Sequence, residues 1–125
     1  MHLVKSMRIS ISGAAVIVTV AGFDSLDTFE TELVDAYGSV IAPFVLRFNM
    51  SEFTVSITKN ARQIWALAAT FNRLREQTKL KVSHVEIVGR PGMLKTVRRA
   101  IALISTAYTI EKPVHYIEAS ASDGS

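Results

Sequence analysis

The fold is decided by residues 44–74, which read FVLRF (44–48), NMSEFTVSITKN (49–60) and ARQIWALAATFNRL (61–74). The first segment is an apolar strand, and the third repeats apolar residues at helical spacing. A polar link between a strand and a helix is where α/β folds commonly place functional groups. We therefore expect any functional site to lie in this link.

Length and composition indicate one domain. The chain has 125 residues, of which 49% are hydrophobic, so it can bury a single core. We expect one domain over residues 1–118, followed by a disordered polar tail, ASASDGS, at residues 119–125. There is no cysteine, which excludes disulfides and thiolate metal sites and is typical of a reducing compartment. A cytoplasmic protein is the resulting expectation.

The charge pattern and the apolar runs indicate what the chain does not bind. The net charge is only +3, and the basic residues of the second half lack interleaved surface aromatics, so we expect no nucleic-acid groove. The apolar run Ala14–Val18 is far too short to span a bilayer. The first dozen residues contain no long apolar run followed by a cleavage site, so a secretory signal is not expected.

The sequence before residue 44 predicts a β-hairpin and a helix. The hairpin joins strands Arg8–Ser12 and Ala15–Ala21 through a tight link at Gly13-Ala14. Either Asp24 or Asp27 can cap the helix that follows, and Gly38 marks its end.

The sequence after residue 60 predicts two helices and two strands. The second helix is expected to run to about Gln77 and the third from about Met93 to Ile110. Strands are predicted at Val82–Val88 and Val114–Ile117. The resulting order, ββαβαβαβ, predicts an α/β fold with a five-stranded, mostly parallel sheet.

The alternation within the strands predicts that helices cover mainly one face of the sheet. One face would be apolar, with Ile9, Ile11, Val16, Val18, Val20, Phe44, Leu46, Phe48, Val85, Ile87, Val114 and Tyr116. The other face would be polar or semi-apolar, with Arg8, Ser10, Ile17, Thr19, Val45, Arg47, Asn49, His84, Glu86, His115 and Ile117. A sheet covered on both sides would be apolar on both, so the polar face is expected to be open or to meet a partner.

Three residues of the polar face have the composition of a metal or acid–base site. His84 and Glu86 are two apart on one strand, and His115 falls on the neighbouring strand. Strand spacing does not fix ligand distances, so simple polar contacts are the preferred interpretation and no metal is expected.

The pattern of elements resembles the STAS domain of anti-sigma-factor antagonists and sulfate-transporter tails. The matching stretches are VIVTVAGFDSLDTFETEL and PFVLRFNMSEFTVSITKNARQIWALAATFNRLRE. The resemblance implies a switch loop with a phosphorylatable hydroxyl, where the family usually has Asp-Ser-Ser-Gly or Asp-Ser-Thr-Gly. Ser56 and Thr58 fall at that position, without the flanking Asp and Gly. The lipid-binding CRAL-TRIO domain is a neighbouring resemblance.

These observations lead to a set of candidate site residues. The partner-binding candidates, around the link and the start of the second helix, are Ser51, Phe53, Ser56, Thr58, Lys59, Arg62 and Trp65. The turn GRPG and the cations after it suggest an anion site with Arg90 and Lys95, since free amides at a helix N-terminus favour anions. No catalytic set, phosphate-loop motif or cofactor motif is present in the sequence.

Two classes of function remain open. The leading hypothesis is a non-enzymatic STAS-like module that binds a protein partner, or a second copy of itself as a homodimer. The alternative is a small-ligand domain of the CRAL-TRIO type, binding a lipid or a nucleotide near the third helix.

Overall fold

The computed structural model describes residues 7–23, 26–53, 58–110 and 112–119, except for the side chains of residues 26, 27 and 58. The elements, in chain order, are β1 (Met7–Ser12), β2 (Ala15–Val20), α1 (Leu26–Ser39), β3 (Phe44–Asn49), a 3₁₀ turn (Thr58–Asn60), α2 (Ala61–Arg73), α3 (Arg75–Lys81), β4 (Val82–Gly89), α4 (Pro91–Ile104) and β5 (Val114–Glu118). Ser56 and the cap candidate Asp24 lie outside the described residues, as does the predicted tail from residue 120 onward.

The sheet confirms the predicted α/β class. Its five strands lie in the order β1-β2-β3-β4-β5, with β1 antiparallel to β2 and the other neighbours parallel. Gly13 has a φ of 58° at the turn between β1 and β2, a conformation that tight hairpin turns require and glycine adopts readily.

The helices pack on one face of the sheet, as the strand alternation predicts. Right-handed crossovers between parallel strands in sequential order place every connecting helix on the same side. The core contains strand residues of one parity, such as Val16, Val18 and Leu46, together with Leu33 of α1 and Val97 of α4. The cross-strand register places Ile17, Arg47, Glu86 and His115 in one row on the opposite face.

The predicted second helix is two helices. The backbone leaves helical geometry at Leu74, which has φ of −94° and ψ of 14° and a side chain only 5% exposed. No residue of α3 is buried. Leu74 is therefore the last residue before β4 that packs in the core. The break involves no Gly or Pro, which is why the sequence contained no stop signal.

The predicted third helix is shorter at its C-terminal end. It stops at Ile104 because the hydroxyls of Ser105 and Thr106 donate to the carbonyl oxygens of Ala102 and Leu103, each at 2.7 Å. Such side-chain bonds compete with continued helix. Residues 105–110 therefore lie outside the helix, and Tyr108 belongs to this segment.

Candidate functional site

Two of the predicted partner-binding residues belong to the packed interior or its edge. Phe53 is 2% exposed and packs edge-on against Phe23, with ring centroids 5.2 Å apart. Phe53 is therefore a core residue in this fold. Trp65 is half-buried, and its ring lies 6.2 Å from that of Tyr108.

The other partner-binding candidates lie around the link. Ser51 is half-buried and donates twice to Asn49 Oδ1, from its backbone nitrogen at 3.1 Å and its hydroxyl at 2.6 Å. Lys59 and Arg62 are exposed where α2 begins. Thr58 starts the 3₁₀ turn, but its side chain is outside the described part, as is Ser56. The partner role of these residues stays a prediction.

The anion candidates lie at the start of α4. Arg90 precedes Pro91, and both Arg90 and Lys95 are exposed. Lys95 borders a shallow recess that also contains Glu118, whose carboxylate would repel an anion. Arg98 lies over the Tyr116 ring, 4.4 Å from its centroid, so this cation is already stacked on an aromatic face.

A second concave feature, which is almost entirely apolar, lies between α2 and α4. It is a groove of about 230 Å³, open to solvent on one side, and we call it the apolar groove. Its floor is the helix-covered face of the sheet and its walls are α2, α3, α4, residues 108–110 and residue 112. Its lining residues are Val20, Phe23, Leu46, Phe48, Met50, Ile64, Leu67, Ala68, Phe71, Asn72, Arg75, Thr78, Val85, Ile87, Val97, Ala100, Ile101, Ile104, Tyr108, Thr109, Ile110, Lys112 and Val114.

The groove exists because the facing walls do not fill the space between them. Ala68 on α2 and Ala100 on α4 both line it, and a methyl group occupies little of the gap between two helices. In α2, which is described throughout, Thr70 is the one buried residue. The apolar stripe of α2, including Leu67 and Phe71, is only half-buried. A helix with this periodicity normally buries that stripe, so the groove leaves apolar surface unburied.

Polar groups of the groove are concentrated at one end. Val20 is the last residue of β2 and Met50 follows β3, whereas Val114 is the first residue of β5, at the opposite end of the parallel strands. Lys112, close to Val114, and Thr78 of α3 lie at this second end. The Thr78 hydroxyl is 3.0 Å from the hydroxyl of the buried Tyr37. The polar lining of the groove near the start of β5 thus includes Lys112 and a Thr78 hydroxyl that is already hydrogen-bonded.

The open face of the sheet contains a paired polar network. Arg47 donates to Glu86 at 2.8 Å, and His84 Nε2 lies 3.1 Å from the other carboxylate oxygen of Glu86. Hydrogen bonds from His84 and Arg47 lower the pKa of Glu86 below its ordinary value. The rings of His84 and His115 lie 4.9 Å apart. Within the described residues no group of three His, Asp or Glu side chains is placed to hold a metal ion.

No protein-family model, curated protein or solved structure matches this chain. The STAS resemblance accordingly stays a prediction from the pattern of elements. In the ranges that the structure describes, no helix is both long and apolar enough to cross a membrane.

The groove was not predicted from the sequence. The periodicity of α2 indicates which residues face the sheet, but it does not indicate how closely other side chains pack against them. Helical spacing places Ile64, Leu67 and Phe71 on one face of α2, and in the structure these side chains form a wall that solvent reaches. The available signal was the pair of small residues, Ala68 and Ala100, on the facing sides of two helices.

Proposed function

We propose that this chain is a non-enzymatic binding module for a small apolar molecule, which it takes up in the apolar groove. The observation that supports this most strongly is the half-buried apolar stripe of α2 above a sheet floor that includes Leu46 and Ile87. Concave sites lined mainly by apolar side chains, with few polar groups, are typical of small-molecule sites.

The free energy for binding would come from apolar surface removed from water, at roughly 25 cal/mol per Å². The sheet floor and the helices already form the walls of the site, so little ordering would be required on binding. Its volume of about 230 Å³ exceeds the roughly 150 Å³ of an apolar cavity that holds benzene and is below the roughly 300–1,000 Å³ of drug-sized sites. A molecule of medium size fits this range.

The test is titration with the neutral apolar dye N-phenyl-1-naphthylamine, whose fluorescence rises in apolar surroundings. We expect saturable binding to the wild-type chain. Ala68→Phe places a ring in the groove and should weaken binding at least tenfold. Ala66→Phe, on the exposed side of the same helix, is the matched control and should bind as the wild type does.

Thermal melts of both variants establish that they fold. The Ala68→Phe ring enters open space, so its melting temperature should stay near that of the wild type or rise. Absence of saturable binding to the wild type, or equal binding by a folded Ala68→Phe, would contradict the proposal.

The second candidate is the STAS-like interaction module. Its support is the exposed pair Lys59 and Arg62 beside the hydroxyl-bearing link. Replacing Ser56 and Thr58 by Asp should change self-association measured by light scattering. An unchanged mass over a wide concentration range would remove the link as the contact between copies.

A further inference from the structure

We propose that two copies of this chain associate through the free edge of β1, so that their sheets join into one continuous sheet across a two-fold axis. The contact is an antiparallel pair of β1 strands centred on Ser10. It is independent of the uptake of an apolar molecule, because no residue of β1 lines the apolar groove.

The lack of protection along this edge is the first observation. β1 lies at one end of the sheet, and in the described part of the chain β2 is its only strand partner. The two strands pair over all six residues of β1 without a bulge, and the sequence of β1, MRISIS, contains no proline, glycine or lysine. Protein sheets usually protect an exposed edge with such residues or with a bulge, so this edge is open to another strand.

The direction of Arg8 is the second observation. Arg8 is the one charged residue of β1, and its guanidinium lies 2.7 Å from the carboxylate of Glu52. Because Glu52 follows β3, two strands inward, the Arg8 side chain is directed along the sheet and away from the free edge. Its charge therefore does not repel a strand that adds to β1.

The backbone groups of β1 provide the third observation. A two-residue loop joins β1 to β2, and in such a hairpin the residues that flank the loop, here Ser12 and Ala15, form a hydrogen-bonded pair. Alternation along the ladder then directs the N–H and C=O groups of Ile9 and Ile11 toward the free edge, where no other strand of the described chain pairs with them. These groups are available for an antiparallel strand.

The sequence of β1 complements itself, which favours a second copy over a partner of another sequence. Antiparallel pairing centred on Ser10 places Ile9 of each copy opposite Ile11 of the other. Ile9 is half-buried and Ile11 is 47% exposed, so the contact removes apolar surface from water. Arg8 falls opposite Ser12 of the second copy, so no like charges meet. A two-fold axis requires such self-complementarity.

The other edge of the sheet is less suited to this contact. β5 has five residues, directly follows Pro113, and ends on the exposed Glu118. A short strand with a proline and a charge at its ends is typical of a protected edge. We therefore place the contact at β1 and not at β5.

The test is sedimentation equilibrium of the full chain over a wide concentration range. A contact between two short strands is small, so we expect a dimer that dissociates on dilution. Ile11→Lys places a charge at the contact in both copies and should weaken dimerisation at least about tenfold. Ile117→Lys changes a comparably exposed isoleucine of β5, 39% exposed, and should associate as the wild type does.

Ile11→Pro tests the backbone bonds separately from the charge. Because the N–H of Ile11 points away from β2, proline removes only the bond to the second copy, and an edge strand tolerates proline at such a position. We expect this variant to be monomeric as well. Thermal melts at a concentration where the wild type is monomeric should show that all three variants fold.

A monomeric mass of the wild type at every concentration, or an undiminished dimer in a folded Ile11→Lys, would overturn the contact at β1. Loss of the dimer in Ile117→Lys but not in Ile11→Lys would do the same. None of these results affects the proposed binding of an apolar molecule, which the dye titration tests independently.

Discussion

At the scale of single residues, Tyr37 shows how a polar group is accommodated in the core. Its side chain is fully buried, its hydroxyl is hydrogen-bonded to that of Thr78, and burial raises the pKa of Tyr37 to about 12. In the unfolded chain a tyrosine titrates near pH 10. The unfolded state therefore loses its proton first as the pH rises, which favours unfolding.

This pKa difference predicts an alkaline loss of stability. The contribution of Tyr37 is complete below pH 10 and is lost as the pH rises to about 12, which lowers the free energy of unfolding by about 2–3 kcal/mol. Urea unfolding at several pH values between 9 and 12 measures this decrease in the free energy of unfolding. Tyr37→Phe has no hydroxyl to ionise, so its stability should fall less over the same range. Parallel curves for the two proteins would show that Tyr37 does not contribute.

The residues of the polar network on the open face could be identified from the sequence, but the distances between them could not. His84, Glu86 and His115 were placed on one face by strand alternation, and the register confirms that placement. The salt bridge from Arg47 to Glu86 depends on which residues face each other across β3 and β4, where the register shifts between Phe44 and Val45. A register shift of this kind leaves no signal in a single strand's sequence.

At the scale of elements, the break between α2 and α3 depends on Leu74. Its side chain is 5% exposed and lies in the core cluster, where it follows the half-buried stripe of α2. Leu74→Ala should lower the free energy of unfolding by about 2–4 kcal/mol, since it removes buried methyl groups and leaves a cavity. Chemical denaturation measures the change.

Leu80→Ala, on α3, is the matched control for Leu74→Ala. Leu80 is 79% exposed, so its loss should change the free energy of unfolding by no more than about 0.5 kcal/mol. Equal effects of the two substitutions would mean that Leu74 does not anchor the junction of the two helices.

Sequence periodicity was enough to predict the bounds of some elements and not of others. β3 was predicted to within one residue of its observed bounds, because Pro43 and the polar link delimit an apolar run. The end of α4 was placed six residues too late, because the apolar residues Ile104 and Tyr108 continue the helical spacing across Ser105 and Thr106. The two hydroxyl bonds that stop the helix are local, and they outweigh a periodic pattern that favours continuation.

At the scale of the whole molecule, the groove follows from how the helices are distributed. All helices cover one face of a five-stranded sheet, and α2 and α4 are separated along that face by the space above Leu46 and Ile87. The class of fold and the covered face were predictable from strand alternation. The spacing between two helices on that face depends on tertiary packing, which a single sequence does not specify.

The central claim is that the groove, and not the open face of the sheet, receives an apolar molecule. The most direct measurement is a methyl NMR titration with 1-decanol. We expect shifts at methyl groups that line the groove, such as those of Ile64, Ile101 and Val114, and none at Ile17 or Val45 of the open face. Shifts confined to the open face, or no shifts at all, would contradict it.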